Sequence, residues 1–341
     1  MDSLPIYCLI LASVSEAAAR PLNRPPLFEP LLESIGTHVH GTPGAGLTLI
    51  CKMGKASDVL TTVEAGRLTI RGVSLGGVYT SLHVPELDLF FDVGFPVRQA
   101  ASAGSLFISH GHVDHIGALA TVLGLRGLVG VRQKLRIFLP AVLAPQIEEL
   151  LLAVSRLHHW PLEVDLVPME PGMEVRLRND LFVRAFRTYH PVPSLGFGFV
   201  TKLKKLKPAF GHLSGPEIAE GRKAGLALFD EVERIELAYA TDTLPLVLER
   251  EPWLLSSRVL ILECTFLDGR KSIADARAGC HIHLDELLPF ADRFRNEHLV
   301  LMHFSQIYRP SDVHRILAER CPVSMSNILR VFAPTGDHWP G

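Results

Sequence analysis

The chain has 341 residues, 48% of them hydrophobic and 21% charged, enough apolar content to bury a sizeable core and to exclude a mainly disordered, collagen-like or coiled-coil protein. Lys and Arg number 34 against 36 Asp and Glu, a formal net charge of −2, so no global positive field draws the chain onto nucleic acid or an anionic membrane, and a phosphate-rich partner must be met by a local patch. Five cysteines in no CxxC spacing fit a compartment where thiols stay reduced.

The apolar run PIYCLILASV near the start is far shorter than the ~20 residues needed to cross a bilayer, and it is preceded by Asp2 with no Lys or Arg, unlike a secretory signal. A cytoplasmic protein with no membrane span is expected. Residues 1–66 are punctuated by RPLNRPP, GTHVHGTPGAG and MGKASD and read as an irregular N-terminal extension; one domain over 67–341 follows. RLTIRGVSL, GVYTSLHVP and ELDLFFDVG read as strands, SLFISH as a short buried strand, and HIGALATVLGL as a helix with a stripe at Ile116, Leu119 and Leu123. LRIFLP is a strand and APQIEELLLAVSRL an amphipathic helix. EVDLVPM and LFVRAFRTYH are strands, followed by a Gly-, Lys- and Pro-rich stretch from Gly196 to Gly215 and a helix at GPEIAEGRKAG. In the last third, strands RIELAYATD, RVLILECTF and HLVLMHFS alternate with helices HLDELLPFADRFR and SDVHRILAER. Strand runs lead and helices then alternate with strands, twice over, which is the layout of a four-layer αββα sandwich, two sheets face to face with helices outside.

The chemistry concentrates in SHGHVDHIG, where His110, His112, Asp114 and His115 share six positions between a strand and a helix start. Alternation at a strand end points His110 and His112 the same way, while Asp114 and His115 at the turn face a neighbouring position, so one segment addresses two adjacent metal ions. Further donors stand just after β-rich runs: His190 after LFVRAFRTY, Asp242 after LAYAT and His303 after LVLM. They supply one bridging carboxylate and one more imidazole per metal. Imidazole with few carboxylates suits Zn²⁺ better than Mg²⁺ or Ca²⁺, with Mn²⁺ or Fe²⁺ as alternatives.

These residues carry a resemblance. HGHVDH is similar to the HxHxDH signature of the metallo-β-lactamase fold, and the segments around it resemble the RNase Z (tRNA 3′-processing endonuclease) branch: the opening strands ending in an Asp-x-Gly turn at FFDVG, YHPVPSLGFGF, YATDTLP, ILECTFL and LMHFSQIY. The resemblance covers about Arg67 to Tyr308. It implies one zinc held by His110, His112 and His190, a second by Asp114, His115 and His303, and Asp242 bridging them. A hydroxide bound to the pair would attack the phosphate, with Asp114 steering its proton. Asp92 in FFDVG would fix the tautomer of a ligating imidazole. Glu263 and His281 match the pair associated with protonating the ribose 3′-oxygen, although HIH stands where the family shows His-Ser-Thr, so His283 is an alternative acid.

The implied activity is endonucleolytic, metal-dependent cleavage of a phosphodiester at tRNA 3′ ends by a homodimer, with pre-tRNA or a small phosphodiester as substrate. The alternative is a hydrolase of the same fold acting on a small-molecule ester, such as a cyclic nucleotide, a sulfate ester or a lactone. It is motivated by the near-neutral charge and by the short interval between His190 and Asp242, 242 − 190 = 52 positions, where the family's tRNA-gripping arm should be. Within that interval Lys202, Lys204, Lys205 and Lys207 form either a phosphate-binding strip or a solvated strand face.

Overall fold

The computed structural model describes residues 60–340, so the apolar run at the start and the extension up to residue 59 lie outside the described residues. Two seven-stranded sheets carry the domain. The first contains β1 (Thr61–Ala65), β2 (Leu68–Leu75), β3 (Tyr79–Val84), β4 (Leu89–Phe91), β5 (Ser105–Phe107), β6 (Leu135–Pro140) and β7 (Val164–Met169), in that spatial order. The second contains β8 (Glu174–Arg178), β9 (Leu181–Arg187), β10 (Leu195–Leu206), β11 (Phe229–Ala240), β12 (Val259–Glu263), β13 (His298–Met302) and β14 (Leu329–Val331), again in chain order across the sheet. Each sheet opens with antiparallel neighbours and closes with parallel ones, from β4 to β7 and from β11 to β14. Parallel neighbours need crossovers, and most of the longer helices fall in them.

The two-residue period of the strands sorts side chains between layers. Phe91, Phe107, Val259, Ile261, Val300 and Met302 join the core between the sheets. Their neighbours Phe90 and Leu106 face the helices Leu119–Leu128 and Ala144–His158. Leu260, Leu262, Leu299 and Leu301 likewise meet helix Pro310–Arg320 through Val313, Ile316 and Leu317. Strands buried on both faces are continuous apolar runs, which is why ILECTF and LVLM read so clearly. At the centre, Phe91 stacks on Tyr239 at 4.4 Å and Phe107 on Phe138 at 4.6 Å; each such ring contributes about 1.5–3 kcal/mol by burial.

Three departures from the sequence reading bear on the site's surroundings. The sheet begins before Arg67, because Thr61–Ala65 pairs with β2 through a two-residue turn in which Gly66 takes φ 66°, a conformation glycine adopts without strain. The Gly- and Lys-rich stretch, given no element in the sequence reading, begins with β10, paired to β9 and, from Phe197 to Leu206, to β11. HLDELLPFADRFR is only a short α-turn, Leu284–Leu287, continued as a 3₁₀ segment Leu288–Arg293, since Pro289 removes an intrahelical donor.

Candidate metal centre

The strands that carry the candidate donors all end at one edge of the sandwich. His110 and His112 follow β5, His190 follows β9, Asp242 follows β11, Glu263 ends β12 and His303 follows β13. Three of the positions there leave the extended conformation abruptly, with φ 52° at Asp92, 48° at Asp242 and 60° at His303. Left-handed backbone at a non-glycine residue costs about 1–3 kcal/mol and persists only where surrounding contacts over-determine it. At Asp92 those contacts are visible. Its buried carboxylate accepts from Ser109 N at 2.8 Å, from Ser109 Oγ at 2.9 Å and from Tyr239 Oη at 2.6 Å, and lies 2.8 Å from His115 Nδ1. Gly94 allows the same turn to press on the metal-loop backbone: a Cβ there would fall 1.7 Å from Asp114 O.

All seven candidate donors converge. His110 Nε2 and His190 Nε2 lie 3.1 and 3.2 Å from His112 Nδ1, and 3.6 and 3.9 Å from Asp242 Oδ2. On the other side, His115 Nε2 is 3.5 Å from Asp114 Oδ2 and 3.4 Å from Asp242 Oδ1, and His303 Nε2 is 3.3 Å from the same Oδ1. Donors about 2.0–2.2 Å from a tetrahedral centre are about 3.4 Å apart, so the two sets have the spacing of two coordination shells that share the Asp242 carboxylate, one oxygen each. His115 Nε2 and His303 Nε2 are buried without a hydrogen-bond partner, as lone pairs meant for a cation would be. The donor set fits a divalent metal.

Protonation follows the surroundings. Burial holds His110 well below the ordinary imidazole range and also lowers His190 and His303, keeping neutral rings with lone pairs to offer. Burial opposes charge on His115 too, but the Asp242 and Asp92 carboxylates outweigh it and raise that ring. Asp114 is pushed up by burial yet pulled down to about 2 by His115 and His303.

Glu263 and His281 form a separate pair beside these donors. Glu263 is fully buried and accepts from Thr243 N at 2.6 Å, Thr265 Oγ1 at 2.6 Å and Ile282 N at 3.2 Å. His281 Nδ1 lies 3.1 Å from Glu263 Oε1, and its ring sits 5.7 Å from His190 and 5.6 Å from His303. Burial works against its charge, but Glu263 and then Asp242 and Asp114 raise it to about 9. A nitrogen of His281 also falls within 4.8 Å of donors on Asp242 and His303, while its Nδ1 is turned to Glu263. His283 is committed elsewhere: its Nδ1 accepts from Asp285 N at 3.1 Å and its Nε2 meets Asp268 O at 3.1 Å.

The model of the beta-lactamase superfamily domain matches residues 87–304. The tRNase Z TRZ1 of Arabidopsis thaliana is 35% identical over 268 residues, 78% of this chain and 94% of that protein. This chain belongs to the tRNase Z family. The chloroplastic tRNase Z TRZ2 of the same plant is 35% identical over 253 residues, 74% of this chain and 71% of the relative. YhfI of Bacillus subtilis, a metallo-β-lactamase fold protein, superposes with a TM-score of 0.52 at 15% identity, over 81% of this chain and 96% of that one, a likeness of fold alone. Family and donor set together make the chain a metal-dependent hydrolase.

For a tRNase Z, the lysine strip is the surprise. β10 and β11 form a hairpin whose inner half is buried and whose outer half is solvent-exposed, with the helix Gly215–Lys223 between the strands. Across that outer half Lys202 faces Glu233, Lys204 faces Glu231 and Lys205 faces Asp230. Lys202 also pairs with Glu174 at 2.5 Å, and Lys207 lies 3.8 Å from Asp230. The strip is charge-balanced, which favours the solvated strand face of the two alternatives. The sequence reading also missed Ser109 and Tyr239 as holders of Asp92. Ser109 could have been found as the residue next to His110; Tyr239 has no signal, because only the packing of one sheet on the other brings it to Asp92.

Proposed function

We propose that the protein is a two-zinc phosphodiesterase that cleaves precursor tRNA at the 3′ side, with His110, His112, His190 and Asp242 holding one cation and Asp114, His115, His303 and Asp242 the other. The observation that carries this reading is the double donor set shared through Asp242, in a chain that aligns with 94% of a tRNase Z. Two bound cations would supply Lewis-acid polarisation of the scissile phosphate and activation of water at neutral pH. The protein's own part is positional and acid–base. Asp92 orients His115 by accepting from Nδ1, and Asp114 beside it is anionic and available to accept a hydrogen bond from attacking water. His281 is the acid: Nδ1 is held by Glu263, which leaves Nε2 to deliver a proton to the departing ribose 3′-oxygen. A charged imidazole beside the donor sets is well matched to that task, and with both its nitrogens engaged His283 serves as the cap of the turn Leu284–Leu287.

The functional unit is a homodimer in this reading. Val113, next to His112, is 77% exposed, and Leu128, Leu157 and Trp160 at the adjoining ends of two helices are 81%, 79% and 65% exposed, more apolar surface than isolated side chains usually present. Reduced thiols at Cys264, Cys280 and Cys321 suit a cytoplasmic setting; among the described residues no helix is long and apolar enough to cross a membrane. The full chain, loaded with zinc or manganese, should cut a 3′-extended pre-tRNA at the tRNA boundary and turn over a chromogenic phosphodiester slowly. Rapid turnover of a small phosphodiester, sulfate ester or lactone with no cleavage of pre-tRNA would replace this reading with that of a small-ester hydrolase.

A further inference from the structure

Four imidazoles face Asp242; the second ring nitrogen of His190 has no hydrogen-bond partner among the described residues, and what stands behind that of the other three differs. His115 Nδ1 has the Asp92 carboxylate at 2.8 Å. His110 Nδ1 has Ser109 Oγ at 3.0 Å, and that hydroxyl in turn donates to Asp92. His303 has no carboxylate: its Nδ1 lies 3.2 Å from Thr80 Oγ1, and Thr80 Oγ1 lies 3.2 Å from Ser74 Oγ. All three residues are buried. Two hydroxyls in an apolar strand pair are costly to bury unless they bond to something, and neither is needed for the sheet ladder, which the backbone makes.

We infer that Thr80, backed by Ser74, is the positioning residue for His303, and through it for the cation held with Asp114 and His115; this rests on the two-cation reading above. Ser74 and Thr80 are directly opposed on β2 and β3, so they arrive as one unit from the first sheet, whereas His303 extends β13 of the second. The turn between them is tied to the same ligand. Gly76 N donates to Phe304 O at 2.9 Å, and a Cβ at Gly76 would stand 3.0 Å from His303 O. Thr80 O accepts from Gly94 N at 2.9 Å, in the turn that packs on Asp114. Thr80 therefore touches the supports of two ligands at once. When Nε2 offers its lone pair, Nδ1 carries the hydrogen and donates to Thr80 Oγ1, whose own hydrogen passes to Ser74 Oγ. A hydroxyl can donate as well as accept, so Thr80 fixes the plane of the ring rather than its protonation, unlike the acceptor-only Asp92 behind His115.

The test is zinc titration of the metal-stripped full chain against a chromophoric chelator, with melting curves alongside. Thr80→Val removes the hydroxyl at nearly constant shape and should weaken one of two zincs about 10–100-fold, the usual cost of losing an outer partner of a metal ligand. Thr80→Ser should restore wild-type affinity to within a few-fold, and Ser74→Ala should fall between the two. Activity of Thr80→Val should recover at high free zinc, because position and not chemistry was lost. Both zincs bound at wild-type affinity by Thr80→Val, with only the melting temperature lowered, overturns the inference and leaves Thr80 a packing residue. Should Thr80→Val fail to fold, an unchanged Ser74→Ala overturns it instead. His303→Ala separates the two levels of the argument: it must lose one zinc, and if it keeps both, the two-cation reading itself has failed.

Discussion

Glu236 and Asp242 sit on the same stretch of chain, and each is 2% exposed, yet they are buried in opposite ways. Glu236 lies within β11 as the extra residue of a bulge, between Ile235 opposite Val200 and Leu237 opposite Phe199. It takes three arginines: Arg67 and Arg234 at 2.5 Å and Arg258 at 3.0 Å. Asp242, about 20 Å further on at ~3.3 Å per residue, has no guanidinium and faces imidazoles on both of its oxygens. Burial works to raise both carboxyls and partners lower both, three arginines in one case and His303, His115 and His110 in the other. The difference is completion. The strand interior closes its charge with cations the protein supplies; the strand end leaves donors that, in the proposed reading, await a cation. Polarity buried at a bulge can serve stability, while polarity buried at a left-handed strand end is where the proposed reaction centre lies.

Asp242→Ala should break the comparison most severely, removing metal from both sites and abolishing cleavage; elemental analysis beside the pre-tRNA assay checks it. Glu263→Gln comes next. Losing the anion behind His281 should lower kcat by about 10²–10⁴-fold while bound metal stays at the wild-type level, a split that metal quantitation with steady-state kinetics reads directly. Glu236→Gln should leave activity alone and cost about 1–3 kcal/mol at neutral pH, measured by denaturant unfolding. Because the folded-state pKa of Glu236 is depressed, its contribution is complete above the unfolded value near ~4.3 and is lost as pH falls through the folded value. The gap between wild type and Glu236→Gln should accordingly close on acidification. Lys204→Ala with Lys205→Ala is the mildest: with acids across the ladder at both positions, KM for pre-tRNA should move less than about fivefold. A larger rise would return the hairpin to the role of a phosphate grip.

How much of this could be read beforehand depends on whether a feature is local. HGHVDH packs three imidazoles and a carboxylate into six positions, and strands buried on both faces announce where Asp242 and His303 must emerge. The convergence of these donors was therefore legible, as was the sandwich. The supports were not. Tyr239 reaches Asp92 and Thr80 reaches His303 only because one sheet lies on the other, and nothing along the chain marks a Thr in YTSLHV as different from an ordinary strand residue. The full extent of β10 was not assigned for a related reason: the outer half, TKLKKL, has no buried face of its own, and β11 supplies both its ladder and its counter-charges. The bulge at Glu236 is likewise a property of the pair of strands.

Anomalous diffraction from crystals of the zinc-loaded protein tests the central claim most directly. Two peaks about 3.5–4 Å apart, one beside each carboxylate oxygen of Asp242, are the expected result. A single peak, or peaks away from Asp242, would contradict it.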